Sequence, residues 1–493
     1  MAATQRSPYL DVFANRRIAA MLLLGFASGL PLALSAGSLQ AWLTVEGIDI
    51  RTIGFFALAG LPYTFKFVWA PLLDRFEPPL LGRRRGWLLL SQFSLAGACL
   101  AMAQLDPRTS VVSVGIVAVA IAFLSASQDI VFDAYRADLL GERERGAGAA
   151  VSVLGYRLAM LVSGGLALIL ADQWLGWPDT YRLMAALFAA CAVVTAFSPR
   201  LDVRVAPPDA ATGARELLGF VAMLGAGLAT YFALRALPLG ALDEGGFSRL
   251  ALQTLSMFAA FAVALRAARW AGFPSFVKPW DAFFERRGAI ALLALIVLYK
   301  LGDAFAGTLS TAFLIRGVGF TQTEVGAVNK ILGLTATIFG ALAGGLWLAK
   351  RPLWGALMAF GILQAVSNFG YWLLSVAPKS YLLMAGAIGL ENLCGGMGTA
   401  AFVAFLMALT DKRFSAAQFA LLSALAAVGR VYVGPAAGVM VDALGWPAFF
   451  LWTVAAAIPG LLLLWWLRGT IDDLAGHCSP GDRGSTAPQE IER

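Results

Sequence analysis

Apolar runs, each long enough to cross a bilayer, constrain this chain more than any other feature. They recur at roughly 18–45, 52–74, 86–105, 111–139, 148–171, 180–198, 217–236, 249–268, 288–315, 322–349, 353–376, 380–410, 415–442 and 447–467. A helix needs about 20 apolar residues to cross the hydrocarbon core, so the pattern predicts an all-α polytopic membrane protein with about 14 transmembrane helices. Composition agrees, because 59% of the 493 residues are hydrophobic and only 14% are charged. A soluble domain of this length cannot hide that much apolar surface. Several runs exceed one straight crossing, so tilt is expected, with kinks at Pro31, Pro62, Pro71 and Pro435. The opening segment MAATQRSPYLDVFANRR is too polar for a cleaved leader, and the first run is expected to stay as an anchor.

Basic residues set the orientation. With the N-terminus in the cytoplasm, Arg16, Arg17, Arg83, Arg84, Arg85, Arg143, Arg145, Arg286, Arg287, Lys350, Arg351, Lys412 and Arg413 all fall on the inside, and few basic residues fall outside. Both termini are then cytoplasmic. The net charge of +7 reads as topology-setting charge; no basic stripe suggests nucleic acid. Cys99, Cys191, Cys394 and Cys478 have no metal-ligand spacing, and the single histidine is His477. A histidine triad, a histidine zinc site and a histidine proton relay are excluded. Proton chemistry therefore falls to carboxylates, and no cofactor is expected beyond a proton gradient.

The chain also repeats itself. GIDIRTIG (47–54) matches GFTQTEVG (319–326), and LADQWLGWP (170–178) echoes VDALGWP (441–447). Similarity of this kind between halves marks parallel-repeat transporters of the major facilitator type. The expected organisation is a six-helix bundle over 1–198, a linker with two extra transmembrane helices over 199–287, and a second six-helix bundle over 288–468. A disordered cytoplasmic tail follows over 469–493. Charges in the linker fall near helix ends, so its helices are expected to be lipid-facing or structural.

Charged residues at membrane depth point to function. Asp129 and Asp133 lie four apart in SASQDIVFDAYRADLL, on one helix face. A charge at mid-bilayer costs about 2.5–3.5 kcal/mol on the mildest scale, so it needs a polar partner or a wet cavity. Counting helical rise puts Asp129, Arg157, Asp303 and Glu391 near the midplane, where secondary transporters bind cargo and coupling ion. The buried cations are Lys66, Arg157, Lys300, Lys330 and Arg430. Lys300 and Asp303 can pair at i, i+3, either structurally or as part of a site. Lys66 can contact cargo or snorkel towards the inner surface.

Arg157 and Arg430 have no acid within one turn, so each needs a partner from another helix or an anionic ligand. A carboxylate shut away from water takes up a proton more readily than a hydrated one. Asp129 and Glu391 are therefore the leading proton-coupling candidates, followed by Asp303 and Asp133. Gln128, Asn392, Tyr156 and Tyr299 join Arg157, Lys300, Arg430, Lys66 and Lys330 as candidate cargo contacts. Trp42, Tyr63, Trp69 and Tyr371 could also stack on sugar rings. Nearer the cytoplasmic end, Asp133, Arg136 and Asp138 suit a salt-bridge network that latches conformations. Taken alone, the residues describe a proton-linked carrier for a carboxylate-bearing solute.

The segments GFASGLPLALSAGSLQAWL (25–43), APLLDRF with GRRRGWLL (70–76 and 82–89) and SASQDIVFDAYRADLL carry a resemblance. So do GERERGAGAAVSVLGYRLAMLVSGGLAL (141–168), LYKLGDAFAGTLSTAFLIRGVGF (298–320), LENLCGGMGTAAFVAFLM (390–407) and QFALLSALAAVGRVYVGPAAG (418–438). Together these resemble the AmpG muropeptide permeases across both halves, with a weaker kinship to acetyl-CoA transporters. DRF with GRRR resembles the major-facilitator loop motif, which implies Asp74, Arg83, Arg84 and Arg85 as cytoplasmic gate elements, although the insertion EPPLL separates its two parts.

The resemblance implies an inner-membrane symporter, and the protein is expected to act as a monomer. It would import N-acetylglucosaminyl-1,6-anhydro-N-acetylmuramyl peptides on the proton gradient, for peptidoglycan recycling and β-lactamase induction. The alternatives are a carrier of another anionic solute, such as acetyl-CoA or a peptide, and a non-transporting membrane sensor. A membrane enzyme would need a nucleophile–base pair or a metal cluster, and the chain offers neither.

Overall fold

A computed structural model of the protein describes residues 16–70, 73, 77–79, 81–140, 145–200, 210–235, 247–286, 288–348, 350–409 and 415–476. Helix dominates these residues and covers each apolar run over most of its described length. Among the described residues, eight continuous spans are long and apolar enough to cross a membrane by length and composition. The span Val151–Phe197 has 47 residues, about 70 Å of helix at 1.5 Å per residue, so it must fold back. It does so at Gly176 (φ 70°), and Leu422–Trp466 does the same at Gly445 (φ 77°). A left-handed backbone at these corners excludes most side chains, which explains the matched glycines of the two GWP motifs.

The repeat now has a physical basis. Gly47 (φ 80°) and Gly319 (φ 85°) turn the chain at equivalent places. Two residues later, Asp49 accepts a hydrogen bond from Thr52 N at the start of Ile50–Phe55, and Thr321 forms a capping box with Glu324 at the start of Gln322–Val325. The second motif pair differs by one residue between its Asp and its Gly. Ala171–Leu175 forms a widened π-helical turn, which absorbs that residue and keeps Asp172 and Asp442 in equivalent positions. Helices within each half approach closely through glycine, as at Gly155 beside Leu22 and Phe26 and at Gly396 beside Thr337 and Ala341.

The linker takes the structural one of its two expected roles, and the expectations for the tail and the proline kinks need revision. The linker helices Ala210–Arg235 and Phe247–Trp270 pack on each other, and a further short helix, Pro274–Phe284, follows them. Arg269 holds that short helix through Asp281 at 2.5 Å. Phe220, Met223, Ala268 and Phe273 bury against Val68 and Trp69 of the first bundle, so the linker is structural as well as peripheral. The expected disordered tail begins as a helix, Arg468–Gly476, and residues 477–493 lie outside the described set. Pro31 and Pro435 sit inside helices, but a break near Pro31 falls after Leu34, and the sharp break beyond Pro435 falls at Gly445. Pro71 lies outside the described residues.

The halves are joined at the end opposite the basic loops. Gly54 meets the backbone of Gly434 and Gly438, so closely that a Cβ there would lie 2.5 Å from the Gly434 carbonyl oxygen. At the equivalent position, Gly326 packs on the Gly165 carbonyl. Arg51 pairs with Asp442 at 2.6 Å, and Thr323 donates from its N and Oγ1 to Asp172 at 3.1 and 2.6 Å. Arg316 adds two bonds, to the carbonyls of Thr44 and Ile48, both at 2.7 Å. Each half thus sends an acid onto the first helical turn of the other.

Candidate functional site

Two polar clusters lie among the apolar spans, one in each half. In the first half, Val111–Leu139 carries Gln128, Asp129, Asp133, Arg136 and Asp138. Asp129 accepts a hydrogen bond from the Ser28 hydroxyl on Arg16–Leu34. Lys66 and Asp133 lie within electrostatic reach of Asp129, and Tyr63 and Tyr156 sit in the same neighbourhood. Lys66 is placed there because its helix gives way to a tight turn over Lys66–Val68. Of the two expectations for Lys66, cargo contact or snorkelling to the inner surface, its position beside Asp129 is compatible with the first. Gln128 is enclosed, and neither end of its amide has a hydrogen-bond partner among the described residues. Arg157 is half-buried and has no ion-pair partner among the described residues.

In the second half the first helix is discontinuous. Ala289–Tyr299 ends at Lys300 (φ −98°, ψ 5°), and Leu301–Thr308 follows. Broken helices at the midplane are where transporters gather ligand groups. Lys300 Nζ lies 3.5 Å from Asp303 Oδ2 and 3.3 Å from Gln364 Oε1. Asp303 and Lys300 are the charges that Glu391 feels, and Tyr371 is enclosed beside Glu391 and Asp303. Glu391 accepts from Asn392 Nδ2 at 2.8 Å, and Asn392 Oδ1 accepts from Thr337 at 3.1 Å. The cluster can exchange a proton and can offer a cation to an anionic ligand.

Several site residues were missed from sequence. Ser28, Thr337, Gln364 and Asn368 all contact the clusters, and Asn368 Nδ2 points at the Gly302 carbonyl at 3.5 Å. A signal was present for two of them: Gln364 and Asn368 lie four apart in the otherwise apolar LWGALMAFGILQAVSNFGYWLLSV. In the other direction, Tyr299 was expected at the cargo. It is packed in the core instead, stacked on Phe402 at 5.6 Å with its hydroxyl donated to the Leu357 carbonyl. Asp74 lies outside the described residues, as do the side chains of Lys330 and Arg430.

The expected gate residues tie the first half together at the basic end. Arg84 pairs with Asp138 at 2.9 Å, and Arg136 bridges Asp133 and Ser152, both at 2.9 Å. Arg83 opens the same helix as Arg84, Arg83–Met102. Arg85 is buried and donates to the carbonyls of Ala196 and Ser198 at 3.3 and 3.0 Å, at the end of Gly176–Phe197. Its charge satisfies orphan carbonyls at a helix C-terminus. Arg85→Met is expected to lower stability by about 2 kcal/mol, from bonds made by a charged group. Thermal unfolding in detergent would read this as a fall in Tm, and an unchanged Tm would contradict the capping role.

Comparison with known proteins agrees with this architecture. The family model described as Acetyl-coenzyme A transporter 1 matches residues 17–106. The anhydromuropeptide permease of Escherichia coli (strain K12) is 52% identical over 466 residues, which is 94% of this chain and 82% of that protein. The putative transporter AmpG 4 of Rickettsia felis is 30% identical over 94% of this chain and 99% of its own length. Among solved structures, the POT family transporter PepTSo superposes with a TM-score of 0.66 at 13% identity, covering 93% of this chain and 98% of that one. That likeness speaks for the fold alone, an all-α helical arrangement shared with that structure. On sequence identity maintained across nearly its whole length, the chain belongs to the AmpG family of anhydromuropeptide permeases.

Proposed function

We propose that this protein imports N-acetylglucosaminyl-1,6-anhydro-N-acetylmuramyl peptides from periplasm to cytoplasm across the bacterial inner membrane, as a monomer driven by the proton gradient. The observation that carries the reading is the 52% identity to the Escherichia coli anhydromuropeptide permease. The site chemistry supports it. Arg157, Lys66 and Lys300 offer cations to the carboxylates of a stem peptide, and Asp129, Asp303 and Glu391 supply groups that can take a proton. Asp133 sits in an ion pair with Arg136, which favours a scaffolding role over proton transfer.

The basic loops favour an orientation with the Arg84 and Arg286 end in the cytoplasm and the Arg51–Asp442 end in the periplasm. In that orientation the contacts that join the halves close the periplasmic end. Such an activity would feed peptidoglycan recycling and the signal that induces β-lactamase.

A CoA thioester is the second reading, favoured by the acetyl-coenzyme A family match over residues 17–106. Competition separates the two. Unlabelled anhydro-disaccharide peptide is expected to displace labelled muropeptide from uptake, and acetyl-CoA is expected to leave it unchanged. Displacement by acetyl-CoA alone would reverse the assignment.

A further inference from the structure

Gln364 lies midway along Leu353–Val376, is 5% exposed, and has an amide that is used unevenly. Its Oε1 accepts from Lys300 Nζ at 3.3 Å, and its Nε2 has no hydrogen-bond partner among the described residues. The amide occupies space left by a neighbour that has no side chain. A Cβ at Gly398 would fall 2.7 Å from Gln364 Cδ and would collide with Oε1. The space at Gly398, on Tyr381–Ala408, therefore leaves room for the amide beside Lys300.

The same ammonium lies 3.5 Å from Asp303 Oδ2. Both separations exceed the roughly 2.7–2.9 Å of a committed charge-assisted bond. Lys300 is thus shared between a carboxylate and a neutral amide, at a point where its own helix is broken.

We propose that Gln364 is a positioning residue for transport, a step that rests on the muropeptide reading. It gives Lys300 a neutral resting partner, so the ammonium can swing to a cargo carboxylate without first leaving a full ion pair with Asp303. An amide holds an ammonium less tightly than a carboxylate does. Without the amide, Asp303 is the partner that remains beside Lys300, and the cargo must compete with it. Gly398 belongs to the same device because it leaves room for the amide.

The test compares two cargoes in reconstituted full-length protein: anhydro-muropeptide with free peptide carboxylates, and the same compound with those carboxylates amidated. Gln364→Met keeps side-chain length and removes the acceptor. KM for the free-carboxylate cargo is expected to rise about tenfold, the scale of one weakened charge-assisted hydrogen bond. KM for the amidated cargo and the turnover per reconstituted molecule are expected to stay within about twofold, since neither draws on the lysine. Gly398→Ala displaces the amide without altering Gln364 itself and is expected to give the same split; it carries the test if Gln364→Met does not reconstitute. An equal loss on both cargoes, or no change on either, overturns the proposal. Failure of the muropeptide reading looks different, because wild-type protein would then accumulate neither cargo.

Discussion

Asp129→Asn is expected to abolish gradient-driven accumulation while leaving the protein folded. The amide oxygen of asparagine can still accept the Ser28 hydroxyl, so the local geometry survives. What disappears is the titratable carboxylate next to Lys66. One proton crossing about 100 mV supplies about 2.3 kcal/mol, enough for roughly fifty-fold accumulation of a coupled solute. A variant that has lost the carrier keeps at most facilitated equilibration, so the expected loss is of that order. Glu391→Gln tests the second cluster in the same way, since Asn392 Nδ2 keeps an acceptor. Uptake that remains fully sensitive to a proton uncoupler removes the substituted residue as the carrier, and a loss in one variant alone assigns the carboxylate.

The second large effect is expected at the contact that joins the halves, periplasmic in the proposed orientation. Gly434, Gly438 and Asp442 recur every four residues on one helix face, and they meet Arg51 and Gly54 from the other half. Magnitudes decide which contact matters more. The Arg51–Asp442 pair is nearly half exposed on both sides, and such pairs are worth about 0–1 kcal/mol. Backbone contact at Gly54 leaves no room for any side chain, and overpacking a close contact costs about 1–3 kcal/mol or more. Gly54→Leu is therefore expected to shift the population at least tenfold towards the periplasm-open state and to cut transport by a similar factor. Arg51→Ala is expected to change transport less than about twofold. An Arg51→Cys reporter should label faster from outside with an impermeant maleimide when Gly54→Leu is also present. Unchanged labelling and full transport would show that the seal lies elsewhere.

The overall architecture was legible because the bilayer makes each crossing announce itself as an apolar run. The repeat was legible for a related reason: a left-handed turn, a cap two residues on and a tight crossing at the seventh position each demand particular residue types. Partnership across helices was much less legible. Helical periodicity reports which face a residue occupies, not which helix that face meets. Arg51 and Asp442 are 391 positions apart, and Lys300 meets Gln364 from 64 positions away. Tyr299 illustrates the same limit, because its hydroxyl is satisfied by the Leu357 carbonyl, a contact that no spacing predicts. Pro274–Phe284 and Arg468–Gly476 escaped notice because an 11-residue and a nine-residue helix are too short for a membrane-length window. Lys300 and Asp303 needed only one helix to be paired, and that pairing was read from sequence.

The most direct test of the account is uptake of labelled anhydro-muropeptide into proteoliposomes under an imposed pH gradient, acid outside. Wild-type protein is expected to concentrate the cargo inside, and a protonophore is expected to return it to equilibrium. Uptake that only equilibrates, and is indifferent to the gradient and the protonophore, would contradict proton-coupled import.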